Sequence, residues 1–205
     1  MLHKHCAKKF KALHSIDQIL SGHKGFAAGG CFKDLLNGKP VKDIDIYFRN
    51  QKDYDAAILC FDNNPNFELF YQNDNVKAYK ALDFEGICIE LCHKIFGSPE
   101  EILNQFDFTI TKFAYFIESI NISDFPFSEG EYRNEYTAVY DDNFFEHLFL
   151  KKLVIDNEIP YPKSTFERIL RYGQYGFKPD KQTIDKLYSS ISKTPVDESD
   201  DEDFY

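Results

Sequence analysis

The sequence contains no tryptophan, a single methionine and no apolar run long enough to cross a membrane. A transmembrane helix needs about 20 mostly apolar residues, so the sequence predicts no membrane span. The first residues carry positive charge, but they lack the apolar stretch and small-residue cleavage site of a secretory signal. These absences predict a cytoplasmic protein that makes no membrane contact.

The chain also lacks paired cysteines. Its five cysteines are odd in number, and none of them forms a C-x-x-C pair. This spacing argues against a zinc site or a disulfide framework and favours reduced thiols that fill the core of a cytosolic protein. We interpret His3, His5 and Cys6 as part of a frayed terminus rather than as metal ligands.

Positive charge is scarce, because the formal net charge is -10. Six of the excess acids lie in the segment DESDDED at 197–203, so the rest of the chain carries about -4. An acidic block of this kind is typical of a solvated, disordered tail, which would repel nucleic acid or mimic it. The remaining charge is too acidic to predict a broad nucleic-acid surface.

Aromatic residues are abundant, with 21 Phe and 13 Tyr among 205 residues. The hydrophobic content of 43% is sufficient for one domain of ordinary size, or for a compact catalytic domain with a helical appendage. The front half alternates strand and helix patterns, whereas the back half is mostly helical. The predicted fold class is therefore α+β, with a small mixed β-sheet flanked by helices and followed by a helical C-terminal part.

Period-two alternation and short apolar runs predict the strands. They cover GFAAG at 25–29, DIDIYF at 43–48, FELFYQ at 67–72, NVKAYKALDF at 75–84 and GICIELCHKI at 86–95. Helices are predicted at CFKDLL (31–36), YDAAILCF (54–61), 111–120, FFEHLFLKKLV (144–154) and KQTIDKLYSSIS (181–192). Residues 121–140 are rich in Pro, Gly, Ser and Tyr and predict a loop with one hairpin.

Three capping boxes are expected to begin further helices. They are Ser15 with Gln18, Ser98 with Glu101, and Ser164 with Glu167. Pro99 at a first helical position supports the second of these starts. Gly173 is expected to end the helix that begins at the third.

Asp43 and Asp45 are two residues apart on a predicted strand, so both carboxylates project from the same face. Carboxylates are the oxygen ligands that Mg²⁺ prefers, and Mg²⁺ commonly bridges them to substrate phosphates. Two such ions activate an attacking oxygen and stabilise a leaving one. The alternative is an exposed strand that merely carries alternating acids.

Gly29 and Gly30 lie where a predicted strand ends and a helix begins. Free backbone N–H groups and the helix dipole make such a junction an anion site. The two glycines are also explained by a tight turn that needs a positive φ. The same junction can be both a tight turn and an anion site. Lys33 is placed to reach a triphosphate, and Asp34 beside it is interpreted as structural.

Three segments in order carry a resemblance to a known family. AAGGCFKDLLNGKPVKDIDIYF (27–48) resembles the signature of the DNA polymerase beta-like nucleotidyltransferases, most closely the tRNA CCA-adding enzymes and bacterial poly(A) polymerases. FDFTITKFAY (106–115) and the neck-helix-like FERILRYGQYGF (166–177) resemble two further motifs of that family. The chain resembles a minimal member of this superfamily, of the type found in phages and mobile elements.

The resemblance implies a role for each matching position. Gly29, Gly30 and Lys33 would contact the triphosphate of an NTP, and Asp43 and Asp45 would bind catalytic Mg²⁺ or Mn²⁺. Glu90 would be the third metal-binding carboxylate; the alternative is a strand glutamate paired with Lys94 or Lys112.

The same resemblance extends to the later motifs. Asp107 would lie near the nucleotide sugar, or alternatively cap the helix that follows it. Arg168 and Arg171 would reach phosphate or base, or alternatively form an exposed arginine face. The implied domains are a catalytic domain at 1–120, a neck-like region at 121–193 and an acidic tail at 194–205.

The chain also departs from the family pattern. Gln105 and Phe106 replace two arginines, Thr111 replaces an asparagine, and the motif that selects the incoming base is not visible. There is no room for the later tRNA-binding domains, so we do not expect a self-sufficient CCA-adding enzyme. The resemblance implies transfer of NMP from an NTP to an acceptor hydroxyl, with release of pyrophosphate.

The acceptor is left open between an RNA 3′ end such as that of tRNA, a small molecule and a protein side chain. A different class of function also stays open. In that alternative the chain is a nucleotide-binding, regulatory or inhibitory protein that keeps the fold without turnover, and the acidic tail acts as a nucleic-acid mimic.

Overall fold

A computed structural model of the chain describes residues 1–121 and 132–193. The strands in these ranges are β1 (Leu2–Cys6), β2 (Phe26–Ala28), β3 (Asp43–Tyr47), β4 (Phe67–Gln72), β5 (Val76–Ala81), β6 (Ile87–Cys92), β7 (Phe113–Asn121), β8 (Tyr132–Asp141), β9 (Lys152–Leu153) and β10 (Lys178–Pro179). The helices are α1 (Asp17–Leu20), α2 (Cys31–Leu35), α3 (Gln51–Asp62), α4 (Pro99–Leu103), α5 (Phe144–Phe149), α6 (Pro162–Gln174) and α7 (Lys181–Ile191). The predicted acidic tail at 194–205 lies outside the described residues.

Eight strands form one mixed sheet in the order β1-β8-β7-β2-β3-β6-β5-β4. Within this sheet, as far as the structure describes it, only β3 and β6 are parallel neighbours and the other neighbouring pairs are antiparallel. β9 and β10 pair in parallel as a separate two-stranded sheet. The α+β class is confirmed, although the sheet is larger than expected. Because β8 belongs to this sheet, residues on both sides of position 120 share it, and the domain division at 120 stays a prediction.

The alternation expected for β3 is present. Ile44, Ile46 and Phe48 are fully buried on one side, while Asp43 is exposed and Asp45 is half-buried on the other. Burial of the aliphatic face fixes the register, since a slip by one residue would turn both carboxylates into the core. The sequence pattern of β3 therefore determines which face of the sheet can do chemistry.

Phenylalanine and tyrosine side chains supply much of the bulk of the core. The rings of Phe32 in α2 and Phe144 in α5 lie 4.6 Å and 4.9 Å from the ring of Phe113 in β7. On α6, Tyr172 meets Phe108 edge to face at 5.8 Å between ring centroids. Through these contacts α2 packs on β7 and α6 packs on the segment before β7. The Lys33 ammonium, 5.9 Å from the Tyr172 ring, places α2 and α6 beside one another.

The prediction of a helix at 111–120 is wrong. A short 3-10 turn at Thr109–Thr111 leads directly into β7. Phe113 to Phe116 are all buried, because β7 is a central strand covered on both faces. A strand of this kind has a continuous apolar run, which periodicity alone does not distinguish from a buried helix. The loop expected at 121–140 is wrong from residue 132 onward, because these residues form β8, which pairs antiparallel with β7. Residues 122–131, where the rest of that loop was expected, lie outside the described residues.

The N-terminal segment is not frayed, because β1 pairs with β8 and forms one edge of the sheet. Of the three capping boxes, the one at Ser98 is confirmed: its hydroxyl accepts from the Glu101 amide, and the Glu101 carboxylate accepts from the Ser98 amide.

The other two capping boxes are wrong. Ser15 donates to the Ala12 carbonyl within a 3-10 turn, and Ser164 lies inside α6. Gly173 also lies inside α6, and the glycine with positive φ beyond this helix is Gly176.

Candidate active site

A cleft of about 690 Å³ lies where α6 faces the ends of β2 and β3. Seven of the residues predicted from sequence to form a site line this single cleft: Gly29, Gly30, Lys33, Asp43, Asp45, Arg168 and Arg171. They come from four separate elements and from positions up to 142 residues apart in the chain. Their roles as ligands remain predictions; their convergence is a structural fact.

Asp45 is the electrostatic centre of the cleft. It stands opposite Glu90 on the neighbouring parallel strand and two residues from Asp43 on its own strand. Burial, followed by the charges of Glu90 and Asp43, raises the pKa of the Asp45 carboxyl to about 7. Among the described residues none donates a hydrogen bond to Asp43 or Asp45. Both carboxylates therefore have free oxygens in an environment that favours a bound cation or proton.

Three thiols surround these carboxylates but do not compete with them as ligands. Burial and the charges of Asp45 and Asp43 raise the pKa of Cys31. Burial and the charge of Glu90 raise the pKa of Cys88 to about 11, and burial and Asp45 also raise the pKa of Cys92. Since the thiolate is the form that binds metal, protonated cysteines leave an oxygen-only donor set suited to a hard cation.

The carboxylates of the cleft do not form a complete metal site by themselves. Among the described residues, no group of three or more His, Cys, Asp or Glu side chains is arranged to hold a metal ion by itself. Asp43 and Asp45 fit Mg²⁺ or Mn²⁺ in the other common arrangement, in which one or two carboxylates share the ion with water and substrate phosphates. The donor set is compatible with a metal that arrives together with its substrate.

Gly29 and Gly30 have different structural roles. Gly29 has φ +103, and a Cβ there would lie 3.5 Å from both the Asp45 carboxylate and the Phe106 ring. Its amide donates to the Phe113 carbonyl, so it is not free for a ligand. Gly30 has φ -67, which any residue adopts, and a Cβ there would lie 3.4 Å from the Tyr172 hydroxyl. The turn explanation therefore applies to Gly29, whereas Gly30 keeps the cleft open.

Lys33 provides buried positive charge on the opposite wall. Its ammonium lies 2.5 Å from the Asp34 carboxylate and over the rings of Tyr175 (5.3 Å) and Tyr172 (5.9 Å). Burial, followed by the charges of Lys39 and Lys33, lowers the pKa of nearby Lys151. Lys33 therefore places an ammonium group, paired with Asp34, in the cleft of a protein that is acidic as a whole.

Asp107 does not cap the helix that follows it, and it does not line the cleft. It is buried, and its carboxylate accepts hydrogen bonds from the Phe108 amide, the Thr165 hydroxyl and the Arg168 guanidinium. This network anchors α6 to the segment before β7. Arg168 is thus partly engaged in structure, whereas Arg171 is exposed and has no carboxylate partner in the described chain.

Glu90 lies beside the cleft rather than on its wall. The alternative pairings proposed from sequence are absent from the described residues: Glu90 accepts a hydrogen bond from the Tyr71 hydroxyl, and Lys112 is buried against Asp156. Burial and the Glu90 carboxylate raise the pKa of Tyr71, so the phenol keeps its proton and acts as the donor.

Sequence reasoning missed the aromatic walls. Phe106, Tyr172 and Tyr175 line the cleft, and Phe106 stands where the family pattern has an arginine. For the two tyrosines a signal was present: they follow Arg168 by four and seven residues, which is the spacing of one helix face. Phe106 gave no local signal, because its position depends on the packing of α4 against the sheet.

No helix in the described ranges is long and apolar enough to cross a membrane.

A family model described as "Gabija anti-defense 2 family protein" matches residues 1–151. The curated protein "Gabija anti-defense 2" of Bacillus phage SPbetaL7 is 24% identical over 157 residues, which cover 76% of this chain and 34% of the relative. The chain thus spans about a third of the length of that curated relative.

Solved structures of CCA-adding enzymes have the same fold. A Thermotoga maritima CCA-adding enzyme complexed with tRNA has a TM-score of 0.55 at 17% identity and covers 88% of this chain and 42% of its own. A CCA-adding enzyme with CTP has a TM-score of 0.61 at 18% identity and covers 92% of this chain and 45% of its own. At this identity the likeness shows the fold alone, and it confirms the predicted nucleotidyltransferase fold.

Proposed function

The chain belongs to the Gabija anti-defense 2 family, and from this premise we propose that it is a metal-dependent nucleotidyltransferase of the DNA polymerase beta-like superfamily. The reaction is transfer of NMP from an NTP to an acceptor hydroxyl, with release of pyrophosphate. The observation that carries the proposal is the cleft itself. Asp43 and Asp45 on β3 line the same cleft as Gly30 and Lys33 at the start of α2.

In this mechanism Asp43 and Asp45 are the metal-binding carboxylates, and Glu90 is the third carboxylate beside them. Bound Mg²⁺ or Mn²⁺ supplies the charge that neutralises the phosphates and activates the attacking hydroxyl. Gly30 gives the triphosphate close access to the backbone, and Lys33 contributes a fixed positive charge on the opposite wall. Tyr172 and Tyr175 exclude water from that side.

Arg168 and Arg171 on α6 form the remaining contacts of the nucleotide in this proposal. Arg171 is available for phosphate or base, because no carboxylate neutralises it in the described chain. Asp107 acts through Arg168 by fixing the position of α6 rather than by touching the sugar. The acceptor is an RNA 3′ end such as that of tRNA, a small molecule or a protein side chain, and the site acts in the cytoplasm.

The test is incubation with each α-labelled NTP, Mg²⁺ or Mn²⁺, and cell extract that is then fractionated into RNA, protein and metabolites. We expect label to enter one fraction with the wild type and to stay out with the double variant Asp43→Asn plus Asp45→Asn. Asp74→Asn, in an exposed hairpin turn away from the cleft, is the matched control. Absence of label with every NTP, or equal labelling by the double variant, would overturn the proposal.

The name of the phage relative further suggests that the reaction counteracts the Gabija defense. In the non-catalytic alternative the protein counteracts the defense by binding, without turnover. One infection experiment separates the two alternatives. Cells that carry the defense are infected while they produce the wild type, the Asp43→Asn plus Asp45→Asn variant or Asp74→Asn. A catalytic protein loses its protective effect on the phage with the double variant alone, whereas a protein that acts by binding a partner without metal or nucleotide retains it with all three.

A further inference from the structure

Tyr71 is placed beside Glu90 by an irregularity in the edge strand. Leu69 pairs with Tyr79, but the next paired residue is Tyr71, opposite Ala78, so Phe70 is an extra residue that forms a β-bulge. In a regular antiparallel pair Phe70 would face Ala78, and Tyr71 would point to the other side of the sheet. The bulge therefore places the Tyr71 side chain on the same face of the sheet as Ala78.

That side is the one that carries the carboxylates. Ala78 is opposite Glu90 on β6, and Glu90 is opposite Asp45 on β3. Tyr71, Ala78, Glu90 and Asp45 therefore form one row across four neighbouring strands. Directly opposed residues of a sheet project to the same face, so the row ends at the lining of the cleft.

The reach of the tyrosine depends on the small residue between the two partners. Neighbouring strands are about 4.8 Å apart, so the backbones of Tyr71 and Glu90 are separated by roughly twice that distance. Ala78 is fully buried and has only a methyl group. The tyrosine ring crosses above it, and its hydroxyl donates a hydrogen bond to Glu90 Oε1.

The bulged residue holds the ring from the outer side. Phe70 meets Tyr71 edge to face with 5.5 Å between ring centroids, and the Lys80 ammonium lies 4.2 Å above the Phe70 ring. Edge strands are the weakest part of a sheet, and residues 68–72 of β4 are exposed. The bulge, Ala78, the Phe70 ring and the Glu90 hydrogen bond together fix the Tyr71 side chain on this exposed strand. Its position is therefore explained by the contact with Glu90 rather than by core packing.

We propose that Tyr71 is a positioning residue that holds the Glu90 carboxylate beside Asp45 for metal binding. One Glu90 oxygen accepts the hydrogen bond of the phenol, which would leave the second oxygen for a bound divalent ion. Hydrogen bonds that orient metal-binding carboxylates typically contribute 10- to 100-fold to metal affinity. This inference rests on the proposed function, because it assumes that Asp45 and Glu90 share a divalent ion.

The experiment measures Mn²⁺ binding by electron paramagnetic resonance, without activity as a readout. We expect Tyr71→Phe, which removes only the hydroxyl, to weaken Mn²⁺ binding about 10-fold. Tyr188→Phe, at an exposed tyrosine on α7, is the matched control and is expected to bind as the wild type does. Thermal unfolding with chelator present confirms that both variants are folded.

A double-mutant cycle with Glu90→Gln tests whether Tyr71 acts through Glu90. If it does, Tyr71→Phe has little further effect on Mn²⁺ affinity once Glu90 is replaced. Equal affinity of wild type and Tyr71→Phe, or fully additive losses in the double variant, would overturn the inference. If Asp45→Asn still abolishes Mn²⁺ binding in that case, the proposed function stands. If the wild type binds no Mn²⁺ either alone or with an NTP added, both are overturned together.

Discussion

Asp45 and Glu90 stand directly opposite one another on the parallel strands β3 and β6, with both side chains on the same face of the sheet. They are far apart in sequence, and the excursion through α3, β4 and β5 brings them together. Two carboxylates in this position repel each other unless a cation or a proton lies between them. Electrostatic repulsion between carboxylates is therefore built into the proposed catalytic centre.

Asp45→Asn is expected to make the protein more stable and inactive at the same time. The half-buried charge beside Glu90 and Asp43 raises the pKa of Asp45 to about 7, so at pH 8 the folded state carries a disfavoured anion. Removing that charge should raise the free energy of unfolding by about 1–2 kcal/mol, measured in urea with chelator present. Asp74→Asn should change it by less than about 0.5 kcal/mol. A variant less stable than the wild type would contradict this electrostatic account.

Gly29→Ala and Gly30→Ala are expected to separate backbone strain from access to the cleft. Alanine at Gly29 must adopt φ +103, which costs about 1–3 kcal/mol of stability. Alanine at Gly30 keeps an ordinary backbone, but its Cβ approaches the Tyr172 hydroxyl. We expect Gly30→Ala to unfold like the wild type while binding NTP more weakly in titration calorimetry. Comparable losses of stability for both variants would show that this distinction is wrong.

Asp107→Ala should destabilise the protein because it removes the acceptor shared by Thr165 and Arg168. Breaking a buried ion pair from one side costs about 3 kcal/mol. Arg171→Ala, at an exposed residue of the same helix, should cost less than about 0.5 kcal/mol. Urea unfolding measures both. If Asp107→Asn lowered NTP affinity without loss of stability, Asp107 would be a nucleotide contact instead of an anchor for α6.

His14→Gln is expected to lower stability more in acid than in base. Hydrogen bonds to the Lys8 carbonyl and then to Asp17 raise the pKa of His14 in the folded protein. Its contribution is fully present below the unfolded pKa of 6.5 and is lost as the pH rises through the folded value. The difference between wild type and variant should therefore be larger at pH 5.5 than at pH 8.5. An equal difference at both pH values would exclude a protonated His14 in the fold.

Local patterns predicted the elements that carry the chemistry. Asp43 to Phe48 alternate strictly, and the Gly29–Gly30 junction follows a short apolar strand, so β2, β3 and α2 could be found without the fold. The Ser98 capping box is also a local interaction, and it is present. The helix wrongly predicted at 111–120 shows the limit of such reasoning, because burial on both faces of a central strand removes the period-two signal.

The parts of the site that sequence could not supply depend on strand order. The Tyr71–Glu90 hydrogen bond needs β4, β5 and β6 in register and a bulge at Phe70. The position of Phe106 in the cleft likewise follows from packing. The resemblance pointed to both Arg168 and Arg171. Only the structure separates Arg168, which is bound to Asp107, from Arg171, which has no carboxylate partner among the described residues. Long-range pairing determines all of these contacts.

The most direct test of the nucleotidyl-transfer mechanism is the fate of two isotopic labels on the same NTP. Protein, Mg²⁺ and acceptor fraction are incubated once with α-labelled and once with γ-labelled nucleotide. Nucleotidyl transfer predicts that the α-label enters the acceptor while the γ-label is released as pyrophosphate, and that Asp43→Asn plus Asp45→Asn abolishes both. Entry of the γ-label into the acceptor, or release of label at the same rate by the double variant, would contradict it.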